Sequence, residues 1–334
     1  MVGTLGTTST GAIDDFSTLS TLAHQHGAWF HIDAAYGGFF ALVDSVKLAI
    51  RGVEMADSIC LDGHKSLFMP FGCAMLLVRE GTHLRHGNRF RPNYIDQKYY
   101  GDDDDEEEGD DDNKDESKEE EETQAATAKK DMDSLVVALE DGEKGVGNAG
   151  DSGVVGDAEV VGDAGEAAVA GDALDATDAG VSFCDFSPEL TRGFRGLRVW
   201  LPLLFHGTLP FKTALKEKLQ LARVCYKRLL NNNPGVVMGP YPQLSVVTFR
   251  FVDNSDHGVV NQKDMDNELN RKVQTVTQLD GTVFITNVNM DGWLWLRICI
   301  LNFRTHLNDI EIAVMKVKEA YDSVIVQGDP AVGH

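Results

Sequence analysis

The chain has 334 residues and a formal net charge of −23, with 53 acidic side chains against 30 Lys and Arg. Residues 101–180 hold 29 of those acids and 5 of those bases, leaving 24 against 25 elsewhere. The near-neutral remainder gives no charge argument for nucleic acid or a membrane surface. Five scattered cysteines without CxxC spacing argue against a disulfide framework or a zinc site, and no metal is expected. No apolar run reaches membrane-spanning length, so a soluble, cytoplasmic protein is expected.

Taken in order, Val2–Leu5 is strand-like and opens in mid-pattern, which suggests a truncated start, and Gly6–Gly11 is loop chemistry. Asp14 and Asp15 cap a helix whose apolar face is Phe16, Leu19, Leu22 and Ala23, and Gly27 ends it. A strand over 28–33, a short helical piece over 44–51, a strand at Asp57–Leu61 and a buried strand at Cys73–Val78 follow. Strands alternating with helices predict a mostly parallel α/β sheet covered on both faces.

Residues 80–98 turn polar and basic. From Gly101 to about Gly180 Asp, Glu, Gly, Ala and Val dominate without aromatics, a composition that cannot bury enough apolar surface to offset its ordering entropy and predicts disorder. Order is expected again from Val181. Ser187-Pro-Glu-Leu reads as a helix start, and Arg192–Trp200 leads into an apolar helix to about Phe205. Another helix runs from about Pro210 to Leu230, with Leu215, Leu219, Ala222, Tyr226 and Leu229 on one face. Strands at Val236–Met238, Leu244–Phe251, Thr282–Val288 and Trp293–Ile300 and helices at 263–279 and Asp309–Val326, the latter capped by Asn308, predict a small antiparallel sheet with helices on one face. Four of the five cysteines lie in apolar runs and are expected to be buried thiols.

Two stretches carry chemistry. His31-Ile-Asp-Ala-Ala-Tyr-Gly-Gly38 leaves Asp33 at the C-terminal end of a strand, where open α/β sheets place ligand sites. Leu61-Asp-Gly-His-Lys-Ser66 sets Lys65 just past a neighbouring strand. A carboxylate and an amine ending adjacent strands can face one cleft.

Together these motifs resemble the group II pyridoxal-phosphate decarboxylases, the family of aromatic-amino-acid, glutamate and histidine decarboxylases. The likeness extends over residues 1–98 and 181–326, with Arg192–Trp200 similar to the family's RxFRxLKxW segment and Leu301–His306 to its closing strand-to-helix turn. It implies a fold-type I large domain in part (1–98), an acidic low-complexity insertion (99–180), a return to the large domain (181–210) and a small α+β domain (211–327). The resemblance implies pyridoxal 5'-phosphate as cofactor and makes Lys65 the Schiff-base lysine. Asp33 becomes the partner of the pyridine nitrogen, Ala35 a small side chain against the ring and Thr8 a cofactor neighbour. His64 would contact the phosphate or the substrate, and Asp62 stands where some members carry a cofactor-contacting Asn. Tyr94 matches the tyrosine of the family's catalytic loop, the proton donor after CO2 leaves, and favours simple decarboxylation over oxidative aldehyde formation. A homodimer acting on an L-amino acid of the aromatic kind is implied. Ser66 stands where Trp is usual, the insertion follows the Tyr94 loop, and the family's N-terminal part of the pocket is missing. An acidic-amino-acid decarboxylase and a catalytically inactive fragment or interaction protein are the alternatives.

Overall fold

The computed structural model describes residues 1–88, 186–189, 191–252 and 262–328; Tyr94, Cys184 and the acidic stretch 99–180 lie outside them. Strand β1 (Val2–Thr4) is followed by helix α1 (Phe16–Gln25). The Asp15 carboxylate accepts from the Thr18 N–H at 3.2 Å and so satisfies a free donor of the first turn. Gly27, at φ +58°, closes the helix in the left-handed region that a side chain would disfavour. Strand β2 (His31–Asp33), the short helix α2 (Asp44–Lys47), β3 (Ser58–Asp62) and β4 (Ala74–Val78) complete the first sheet, in the order β1-β2-β3-β4.

β1, β2 and β3 pair in parallel, whereas β4 returns antiparallel to β3. The mostly parallel expectation holds, with two corrections. β2 is shorter than the expected 28–33. β4 is not buried: Leu76 and Leu77, on opposite faces, are 54% and 55% exposed. An apolar run records composition and not position in the sheet, and this one occupies an edge. Under the sheet Phe16, Phe30, Ile32, Phe40 and Leu5 form a closed core.

The chain divides into two units, Met1–Arg79 with Phe194–His334, and Glu80–Gly193. The second unit shows helix α3 (Gly81–Asn88) among its described residues. Ser187 and Pro188 do not start a helix; helix α4 (Leu197–His206) begins ten residues after Ser187.

Helix α5 (Leu209–Asn232) carries Pro210 in its first turn, where a missing N–H costs nothing. Its buried stripe serves two cores: Leu215 and Leu219 pack with the first sheet, and Leu221, Ala222, Cys225 and Leu229 with the second. The second sheet has the order β5 (Val236–Met238), β6 (Val246–Phe251), β8 (Trp293–Cys299), β7 (Thr286–Met290), all antiparallel. Val247, Phe249 and Phe251 alternate onto the face covered by α6 (Gln262–Leu279) and α7 (Leu307–Gly328), as the period of two requires. Asn308 is not the cap of α7. The Asp309 carboxylate accepts from the His306 N–H at 2.7 Å, so the chain enters the helix at His306.

Candidate active site

Parallel register places the site. Thr4, Asp33 and Cys60 pair across β1, β2 and β3, so the loops after all three strands leave from one edge of the sheet. The Asp33 side chain is exposed there. Its Oδ1 accepts the Ala35 N–H at 3.1 Å and the Cys60 thiol at 3.4 Å. The backbone holds the same point: the Leu5 N–H donates to the Asp33 carbonyl at 2.8 Å, and the Ala34 N–H to the Cys60 carbonyl at 3.1 Å. Tyr36 ties the following turn to the second sheet through a 2.7 Å hydrogen bond between its phenol and Ser245 Oγ. Burial and the nearby Cys299 push that phenol well above the usual tyrosine range.

The turn requires Gly37 and Gly38. A Cβ on Gly37 would stand 2.3 Å from the Leu5 carbonyl oxygen, and one on Gly38 2.0 Å from Leu61 Cδ2. The two glycines let this turn lie flat between β1 and β3, whose ends carry the site.

Lys65 follows β3 in a tight turn. The Lys65 N–H donates to the Asp62 carbonyl at 3.1 Å, and the Met69 N–H to the Gly63 carbonyl at 3.0 Å. Lys65 Nζ, 41% exposed, lies 2.9 Å from Asp62 Oδ2, and His64 Nε2 lies 3.7 Å from the same oxygen. The His64 ring meets Phe71 edge-on at 4.8 Å. Among the described residues, His64 Nδ1 and Ser66 Oγ are buried with no hydrogen-bond partner. Phe68, at φ +60°, is a bulky residue in the left-handed region, and such strain persists only where surrounding packing fixes it. That packing is present: Leu67, Met69 and Cys73 form a cluster with Val199, Leu203 and Phe211, and Arg198 Nη1 donates to the Phe71 carbonyl at 2.7 Å. Arg198 and Val199 thus buttress the lysine turn from behind.

Of the residues expected from the sequence, the structure joins Asp33 with Ala35, and Asp62 with His64 and Lys65, at neighbouring strand ends. Thr8 is exposed in the loop after β1, at the same edge, and joins neither group. Cys60 and Arg198 were not singled out by the sequence. Cys60 is half-buried and Cys299 exposed, so the expectation of buried thiols fails for both, because Cys299 ends β8 and Cys60 stands opposite Asp33, the last residue of β2.

An orphaned imidazole nitrogen, a reachable amine, and a carboxylate with one oxygen held and the other unclaimed fit a polar aromatic cofactor with an aldehyde and a basic ring nitrogen. This places the chain among α/β proteins with a lysine–carboxylate site at the C-terminal edge of a parallel sheet. Residues 1–107 match the model of the pyridoxal-dependent decarboxylase conserved domain. An aromatic-L-amino-acid decarboxylase of Bacillus atrophaeus is 24% identical over 326 residues, 98% of this chain and 51% of that protein. A glutamate decarboxylase-like protein of Gibberella zeae is 38% identical over 95 residues, 28% of this chain and 18% of that one. The solved tryptophan decarboxylase of Catharanthus roseus, in complex with L-tryptophan, superposes with a TM-score of 0.64 at 19% identity, over 97% of this chain and 50% of that one. The chain spans about half the length of these long-range relatives.

Proposed function

We propose that the chain contributes to the pyridoxal-phosphate-dependent decarboxylation of an L-amino acid, of the aromatic kind, to its amine and CO2. The observation that carries the reading is the placement of the Asp33 carboxylate at the end of β2 and of the Lys65 amine in the turn just after the neighbouring parallel strand β3. Pyridoxal phosphate, when bound, supplies an electron sink for the charge left on the α-carbon as CO2 departs. Asp33 would hold a proton at the ring nitrogen through its unclaimed oxygen. Lys65 Nζ would bind the cofactor aldehyde covalently and yield that place to the substrate amine. Ala35, with no bulk beyond its Cβ, allows the ring to approach. Thr8 and Asp62 would lie beside the cofactor, and His64, with Nδ1 unsatisfied, would bind its phosphate or the substrate. Tyr94, outside the described residues, would deliver the proton to the α-carbon.

The domain reading is a large-domain part (1–98 and 181–210), the acidic insertion (99–180) and a small domain (211–327); the two separate cores support it. A homodimer fits the apolar side chains open to solvent, Phe71 beside the lysine turn at 84% exposed and Phe205 near the end of α4 at 75%. Four free thiols among the described residues fit a reducing, cytoplasmic setting.

Borohydride reduction after incubation with pyridoxal phosphate, followed by peptide mapping, tests the site: a pyridoxyl group on Lys65 is expected. Carbon dioxide release from tryptophan, tyrosine and glutamate then tests the substrate class. An unmodified Lys65 would overturn the site, and release from glutamate alone would overturn the aromatic assignment.

A further inference from the structure

We infer that Cys60 is a positioning residue whose thiol fixes one oxygen of Asp33 and so aims the other at the cofactor's ring nitrogen. The inference rests on the cofactor reading above. Cys60 stands directly across from Asp33 in the parallel ladder, a placement set by backbone register and not by a flexible side chain. Its Sγ lies 3.4 Å from Asp33 Oδ1, and the Ala35 N–H reaches the same oxygen at 3.1 Å. Donors from two separate segments therefore restrain the carboxylate's rotation.

Only the protonated thiol can donate. Burial, then the hydrogen bond and charge of Asp33, push the Cys60 thiol above its ordinary range, because a thiolate beside a carboxylate is disfavoured. The thiol therefore remains a donor through neutral pH. A thiol is also a weak donor, so it restrains Asp33 while leaving most of the carboxylate's charge for the ring nitrogen. The paired Asp33 oxygens thus divide into one that is held and one that binds.

Two measurements on the full chain test this. The first needs no cofactor: iodoacetamide labelling at Cys60, resolved by peptide mapping, in wild type and Asp33→Asn. Exposed Cys299 is the internal reference, and Cys225, whose thiol burial pushes up to about 12, stays unlabelled. Labelling of Cys60 is expected to accelerate roughly threefold or more in Asp33→Asn, since the opposing carboxylate is gone. An unchanged rate would overturn the contact. The second follows the absorbance of bound pyridoxal phosphate against pH, and its Kd, in Cys60→Ala and Cys60→Ser. Cys60→Ala is expected to shift the pH midpoint and to weaken binding roughly fivefold, the loss of one modest hydrogen bond. Cys60→Ser, which keeps a donor, is expected to restore both. Failure of Ser to rescue would mean that Cys60 acts by packing, and would overturn the positioning role. Wild type that retains cofactor with an unchanged Cys60→Ala variant would overturn this inference alone. Wild type that retains no cofactor would overturn the functional reading, and this inference with it.

Discussion

Gly37→Ala separates a backbone argument from a packing one by the sign of its effect. Gly37 has φ −92° and ψ −12°, an ordinary right-handed conformation that alanine adopts without strain. By conformational entropy alone the substitution would stabilise the protein by about 0.4–1 kcal/mol, because the unfolded chain loses freedom. The structure reverses that expectation. The added Cβ would stand 2.3 Å from the Leu5 carbonyl oxygen, and the same oxygen accepts the Gly37 N–H at 3.0 Å. Backbone cannot rotate aside as a side chain can, so β1 and the turn must separate and the hydrogen bond is lost. Overpacking of this kind costs about 1–3 kcal/mol, and the lost hydrogen bond about 1 kcal/mol more. After the entropic gain is subtracted, a net loss of about 2 kcal/mol would lower the urea midpoint by roughly 0.7–2 M. Tryptophan fluorescence during urea titration reads it. A midpoint equal to or above wild type would refute the close approach of the turn to β1, and with it the placement of Asp33 at the strand end.

Lys65→Ala is expected to abolish borohydride-trapped pyridoxyl attachment at that peptide while lowering stability by about 1 kcal/mol or less, the loss of one partly exposed ion pair with Asp62. Tyr94→Phe is expected to retain attachment and redirect product from amine toward aldehyde, read by chromatography of the products. Lys218 is fully buried, and its ammonium donates to Glu217 and to the carbonyls of Phe303 and Thr305. Lys218→Met removes the donor from these part-buried acceptors and is expected to cost about 1–3 kcal/mol in urea titration; a loss under about 0.5 kcal/mol would refute the clamp. Glu217 tests the same cluster by pH. Burial raises its carboxyl, but hydrogen bonds from His306 and Lys218 outweigh burial and set it below the ordinary value of 4.5. The stability it contributes is therefore present above pH 4.5 and lost as pH falls through the lower folded value. Glu217→Gln is expected to flatten that acid-side loss in urea titrations between pH 5 and 3.

The sequence by itself determined most of the local elements and where Asp33 and Lys65 fall relative to them. The 3.6-residue period marked the buried stripe of α5, Asp15 and Gly27 bounded α1, and the strand ends carried Asp33 and the turn with Lys65. Periodicity reports which face of a segment is apolar, but not what that face meets. Only the tertiary structure put β4 at an edge, where Leu76 and Leu77 are open, and moved the entry of α7 from Asn308 to His306. It alone set Cys60 against Asp33, since register between strands 27 residues apart is written in no local pattern. It also showed Arg198 and Val199 supporting the lysine turn from more than a hundred residues away in sequence. Contacts of that kind arise when two segments share a core, and the physical cause is packing, which no single stretch of sequence contains.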